Sequence, residues 1–265
     1  MTTPPTVSAQ PFGWVFGRTA NVAPIETARA QLVRADVARR LLVPAGRMGP
    51  VSGAHGGLAA RWLAILPVKP PARGKSRLDL ADDLRRELAA AFAIDTATAA
   101  RLAGRVAVVL AVTDDAAFAT ELSRLGCEVL PDGVGGDLNG TLRQAAAEGR
   151  RRWPDLRPVV LCADLPALRP ADLDAALEEA AARPGPSYVA DAEGTGTTLY
   201  AASHEDFAPR FGAGSAAAHR AAGAVAVPGD LPSLRRDVDT GPDVRTAAAL
   251  GLGAHSAAAV ARLLD

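Results

Sequence analysis

Of the 29 basic residues in the chain only Lys69 and Lys75 are lysine, and both fall in one stretch, LPVKPPARGKSRL, residues 66–78. An ammonium on a flexible stem is a point charge that can follow a phosphate, which a planar guanidinium does less well. Two aspartates stand much further along, Asp164 in LCADLPAL and Asp239 in DVDTGPDV. Magnesium takes oxygen ligands and keeps waters and substrate phosphates in its other positions, so one or two carboxylates make a sufficient site. Lysine plus such a cation is equipment for nucleotidyl transfer, because positive charge is needed where a leaving pyrophosphate gathers negative charge. No general base is required when the attacker is already a phosphate oxyanion.

The Gly74-Lys75-Ser76 sequence invites a Walker reading, GxxxxGK[ST]. That pattern needs glycine where Lys69 stands, and Pro67, Pro70 and Pro71 remove backbone donors from the proposed cradle. Phosphate binding through the lysines survives this objection, whereas binding through a backbone nest does not. A second glycine stretch, DGVGGDLNG over residues 132–140, is not GxGxxG, since Leu138 takes the third glycine position. It leads into a helix, and Asn139 offers an amide able to read ribose or base edges; a helix cap at Asp137 or Asn139 is the plainer role. A third, FGAGS at residues 211–215, ends on Ser215, read as the cap of an alanine-rich helix with His219 one turn on. Glycines before a hydroxyl-capped helix start make an anion site, and capping without a ligand is the alternative.

These groups need a frame. From Arg61 the pattern alternates apolar runs with amphipathic ones, which predicts parallel strands joined by helices. Strands are expected at 62–66, 106–112, 128–130, 158–162, 187–190 and 197–201, with a turn over 191–196. Helices are expected from about Asp79, at 115–125, up to Trp153, at 170–182, after Ser215 and from Pro242. Leu84, Leu88 and Phe92 recur at helical spacing; Asp95 beside that face reads as a capping or hydrogen-bonding group. The lysines then lie on a strand-to-helix loop and Asp164 at the carboxyl end of a strand, the usual ligand crevice of an α/β sheet. Pro170 and Asp172 suit the start of the next helix better than Asp164 does. Asp237 and Asp239 alternate, so in extended chain they share a side, and Asp239 is open to two readings, helix cap or partner of Asp164.

The totals exclude other classes. The chain has 265 residues, 49% hydrophobic and 22% charged, and its formal net charge is zero. With 4% aromatic residues and no basic aromatic stripe, nucleic acid is not an expected partner. No apolar run is long enough for a membrane span and no export signal opens the chain, so the expected setting is cytoplasmic. Cys127 and Cys162 fit no metal or redox spacing and read as small buried hydrophobes. Residues 1–60 carry six arginines against Glu26 and Asp36, with six prolines and a small-residue stretch from Gly46 to Gly57. They read as a poorly ordered N-terminal extension, and residues 61–265 as the working domain.

Taken in order, LPVKPPARGKSRL, LCADLPAL, GTGTTLY, FGAGSAAAH and DVDTGPDV resemble the guanylyltransferases of coenzyme F-420 biosynthesis, a branch of the MobA-like nucleotidyltransferases. The resemblance runs from about Arg61 to the C-terminus. It implies a single α/β domain with a Rossmann-like, mainly parallel sheet, transferring GMP from GTP to phosphoenolpyruvate or 2-phospho-L-lactate. The products would be pyrophosphate and enolpyruvoyl-2-diphospho-5'-guanosine or lactyl-2-diphospho-5'-guanosine. Position by position it implies Lys69 and Lys75 on GTP phosphates, Asn139 near the guanosine, and Asp164 and Asp239 on magnesium, with Lys75 and Asp164 catalytic. Thr197, Gly212 and Ser215 match the acceptor-binding positions, and His219 serves as a support for Ser215. The alanine and arginine bias resembles that of high-GC genomes, which leans the acceptor toward phosphoenolpyruvate. Competing expectations are a MobA-like transferase with another acceptor (3-phosphoglycerate, a molybdopterin, a sugar phosphate) and a non-catalytic GTP-binding module. The oligomeric state stays open, a homodimer included.

Overall fold

The computed structural model describes residues 61–68 and 81–262. The lysine loop and the N-terminal sixty residues lie outside them, and so do the expectations for Lys69, Lys75 and the extension. Among the described residues the strands are β1 (Trp62–Pro67), β2 (Val106–Val112), β3 (Glu128–Leu130), β4 (Arg157–Leu161), β5 (Ser187–Ala190), β6 (Thr197–Ala201) and β7 (Val225–Ala226). The helices are α1 (Asp82–Leu102), α2 (Ala116–Arg124), α3 (Leu138–Arg152), α4 (Pro170–Ala181), α5 (Ser215–Ala221), α6 (Pro232–Arg235), α7 (Gly241–Leu250) and α8 (Ala254–Ala261).

The strands form one sheet in the order β3-β2-β1-β4-β6-β5-β7. β1 is parallel to β2 and β4, β2 to β3, and β5 to β7; only β6 runs antiparallel, against β4 and β5. The sheet is therefore mainly parallel, and β1 is buried along almost its whole length because it is covered on both faces. On one face Trp62, Ala64 and Leu66 meet Ile94 and Ala97 of α1 and Leu173 and Leu177 of α4. On the other, Leu63 and Ile65 meet Leu142, Ala145 and Ala146 of α3. Burial of a leucine or isoleucine side chain contributes about 1.5–3 kcal/mol, so both faces of β1 contribute to the stability of the fold. α3 comes close enough that Gly149 leaves no room for a Cβ against the Leu63 methyl.

Leu88 and Phe92 belong to a third cluster with Val238, Ala247 and Ala259, which packs the chain's last helices onto α1. Asp95 fastens this packing. Its carboxylate accepts the backbone N–H of His255 (3.2 Å) and Ser256 (2.7 Å) and meets His255 Nδ1 at 3.0 Å, so it caps α8 from another helix.

Two helix starts differ from expectation. α4 does begin with Pro170 in its first turn, but Asp172 makes no cap; its carboxylate accepts from Ser233 N and Oγ and ties α4 to α6. Ser215 is the first residue of α5, not its cap. That position belongs to Gly214 in the left-handed region (φ 68°), a conformation glycine takes without a Cβ penalty. The cysteines also divide. Cys127 is buried and burial pushes its thiol up to about 11, whereas Cys162 is half-buried and its thiol donates to the Thr197 carbonyl at 3.2 Å.

Candidate active site

The chain leaves β1 for β2 on one side and later returns to β4 on the other, so the switch point of the sheet lies at the carboxyl ends of β1 and β4. Val68, bonded to the Val112 carbonyl at 2.8 Å, leads from the end of β1 into Lys69. Asp164 follows the end of β4, half-buried. The backbone around it is held from two directions. Buried Thr96 of α1 accepts the Leu165 N–H (3.1 Å) while donating to the Phe92 carbonyl (2.8 Å), and Val238 N–H donates to the Asp164 carbonyl (3.1 Å).

That last bond brings the DVDTGPDV segment to Asp164. Val238 is buried, and Asp237 and Asp239 on either side of it are half-exposed, in keeping with their alternation in the sequence. Asp239 does not cap α7. Thr240 does, through a capping box in which Asp243 accepts from the Thr240 N–H (2.9 Å) and hydroxyl (2.6 Å). Asp164 and Asp239 thus come from segments joined by a backbone hydrogen bond, and their carboxylate oxygens are the donors a hard divalent cation takes. Beside them Asp191, Glu193 and Asp237 place one carboxylate oxygen each within 4.8 Å of one another, a group that could also hold a metal ion. Asp191 in that group already accepts Thr195 N–H (2.9 Å) and Gly196 N–H (2.6 Å), and Glu193 pairs with Arg236 at 2.7 Å.

Thr197 opens β6, whose partner β4 ends at Asp164's turn, so the two residues share one end of the sheet. Opposite Val189 and Ala190, β6 carries one extra residue, Thr198. Such a bulge interrupts the side-chain alternation and re-aims a residue. Thr197 Oγ1 lies 3.0 Å from His219 Nδ1. Ala216 N–H donates to the Thr195 carbonyl (3.1 Å) and Ser215 N–H to Gly212 (3.1 Å), which docks the Gly212–Ser215 turn onto the same strand entrance. Ser215 is buried there.

Asn139 is in the first turn of α3, after Asp137, whose carboxylate caps the helix through Gly140 N–H at 3.0 Å. Its amide forms a closed pair with the Phe211 backbone, donating to the carbonyl (2.9 Å) and accepting the N–H (2.8 Å). It therefore joins the second glycine stretch to the third. His219 is fully buried, and burial pushes its pKa down to about 4; a hydrogen bond to the Ser215 backbone opposes this and the Arg210 charge adds to it. Sequence reasoning missed Thr96, Val238 and Phe211, because each acts through backbone contacts with segments far away in the chain. Two hollows of about 270 and 350 Å³ open at the other end of the sheet, against Val108 and Trp153, and contain none of these groups.

The chain matches the protein family described as Guanylyl transferase CofC like over residues 62–223. It is 50% identical over 208 residues to the phosphoenolpyruvate guanylyltransferase of Streptomyces coelicolor, covering 77% of this chain and 98% of the relative. Similar proteins of the same name occur in Thermomonospora curvata, 50% identical over 76% of this chain and 90% of the relative, and in Mycolicibacterium smegmatis, 40% identical over 82% and 98%. Among solved structures, one from Desulfovibrio desulfuricans described as a nucleotide-diphospho-sugar transferase superposes with a TM-score of 0.51 at 18% identity, over 68% of this chain and 83% of that one; the likeness is one of fold.

Proposed function

Because the chain belongs to the CofC-like guanylyl transferase family, we propose that it transfers GMP from GTP to the phosphate of phosphoenolpyruvate, giving enolpyruvoyl-2-diphospho-5'-guanosine and pyrophosphate, the guanylyl-transfer step of coenzyme F-420 biosynthesis. The observation that carries the reading is the Val238 to Asp164 hydrogen bond, which unites two carboxylate-bearing segments at the switch point, where β1 ends at the residues that precede Lys69 in the sequence. An oxygen of the acceptor phosphate attacks the α-phosphorus of GTP as the bond to the β-phosphate oxygen breaks and pyrophosphate departs.

In this reading Asp164 and Asp239 hold magnesium, which when bound neutralises charge on both anionic reactants. Lys69 and Lys75 follow the GTP phosphates, with Lys75 on the leaving pyrophosphate. Thr197, Gly212 and Ser215 hold the acceptor, and Asn139, through the Phe211 backbone, fixes the wall between nucleotide and acceptor. Most of the rate comes from positioning two mutually repelling anions and neutralising them. The setting we assign to this reaction is cytoplasmic.

The test is continuous measurement of pyrophosphate release from GTP with magnesium, offering phosphoenolpyruvate, 2-phospho-L-lactate or 3-phosphoglycerate, with ATP as the nucleotide control. Release with GTP and phosphoenolpyruvate is expected. Asp164→Asn should abolish it, by roughly a thousandfold or more as for loss of a group that stabilises transition-state charge, while the circular dichroism spectrum is unchanged. Near-normal turnover in that variant removes Asp164 from the metal site, and silence with all three acceptors removes the proposed reaction.

A further inference from the structure

We propose that His219 is a positioning residue that turns the Thr197 hydroxyl outward, so that its proton is presented to the acceptor anion. The inference rests on the reading that Thr197 lines the acceptor subsite. His219 Nε2 lies 2.9 Å from the Arg210 backbone N–H, a group that can only donate, so Nε2 carries no proton and the ring's single proton is on Nδ1. Nδ1 stands 3.0 Å from Thr197 Oγ1. A protonated Nδ1 has no lone pair, so its N–H faces the threonine oxygen as well as the Ser215 backbone, and the threonine cannot donate back. A hydroxyl has one proton and two lone pairs; with a lone pair occupied by His219, the proton is left for another acceptor.

This direction matters because carboxylates and phosphates offer only lone pairs. Were the proton on Nε2, Thr197 would spend its own on the ring and face the anion with an oxygen. The surroundings hold the ring in one orientation and one charge state. It stacks on Tyr200 with centroids 4.6 Å apart and meets Phe211 edge-on at 5.2 Å. Burial without a carboxylate partner among its hydrogen bonds keeps it neutral, and neutrality preserves Nε2 as an acceptor. The Arg210–Phe211 backbone that fixes the tautomer is itself clamped by the Asn139 amide. Asn139 thereby supports Thr197 through two intermediates.

Steady-state kinetics on Thr197→Val, His219→Phe and the double variant test this, together with the ¹⁵N spectrum of the wild-type imidazole. His219→Phe keeps the aromatic packing and should raise the KM for phosphoenolpyruvate about tenfold, the scale of one hydrogen bond to a charged group, with the KM for GTP unchanged. In the Thr197→Val background the same substitution should add less than about twofold, since coupled residues are not additive. An equal factor in both backgrounds, or an equal rise for GTP, makes His219 a packing residue and overturns the proposal. If Thr197→Val alone leaves the acceptor KM unchanged, the acceptor reading of Thr197 fails and the proposal with it. The ¹⁵N spectrum needs neither turnover nor a variant: protonated Nδ1 is expected, and protonated Nε2 overturns the proposal.

Discussion

A buried histidine whose ring burial holds near pH 4 makes the folded protein sensitive to mild acid. The ordinary value is 6.5, so between about 6.5 and 4 the unfolded chain takes up a proton that the folded chain refuses. His219 therefore costs nothing above that window, and stability falls progressively as pH drops through it. Urea midpoints measured at pH 7.5, 6 and 5 should decline more steeply for the wild type than for His219→Phe, which has no ring proton to gain. Parallel declines would show that other groups set the acid limit. At this scale the sequence indicated residue types better than partners. Asp164, Asp239, Thr197 and Ser215 stood out by motif, and the structure gathers their segments at one end of the sheet. The one-turn spacing of His219 pointed to Ser215, whose backbone it does meet, but its second partner, the Thr197 hydroxyl across to β6, did not stand out.

Elements were easier to read. β1, β2 and β4 are near-continuous apolar runs because they are covered on both faces, and a run of that kind has visible ends. Helix termini were harder, since a cap can come from anywhere in the chain. Local reasoning assigned Ser215 and Asp172 to the helices they begin. In the molecule Gly214 takes the cap position and Asp172 serves α6, while α8 borrows Asp95 from α1. Asp95→Ala removes the acceptor for two backbone N–H groups at once, the one on Ser256 buried, and should lower stability by about 1–3 kcal/mol, read as a urea midpoint. A loss below a few tenths would mean that water replaces the carboxylate. Gly253 beside it has no room for a Cβ against the same carboxylate, so Gly253→Ala should push in the same direction.

For the whole molecule, a formal net charge of zero gives no broad field to draw in two anionic substrates. Attraction has to be local, which is the task proposed for Lys69 and Lys75. The family match begins at Trp62, and we take residues 1–60 as an extension outside the catalytic domain. Deleting them should leave GTP-dependent pyrophosphate release within about twofold of the full chain, as expected for a segment that adds no transition-state contact; a larger loss would give the extension a part in the reaction. The hydrogen bond between Val238 and Asp164 also has a meaning in time. A ribosome makes the chain from its amino end, so the lysine loop, the switch-point strands and Asp164 are all present in a nascent chain that still lacks Asp239. On the proposed reading, the pair of carboxylates is incomplete until nearly the last helices emerge, so GMP transfer would wait for the end of synthesis.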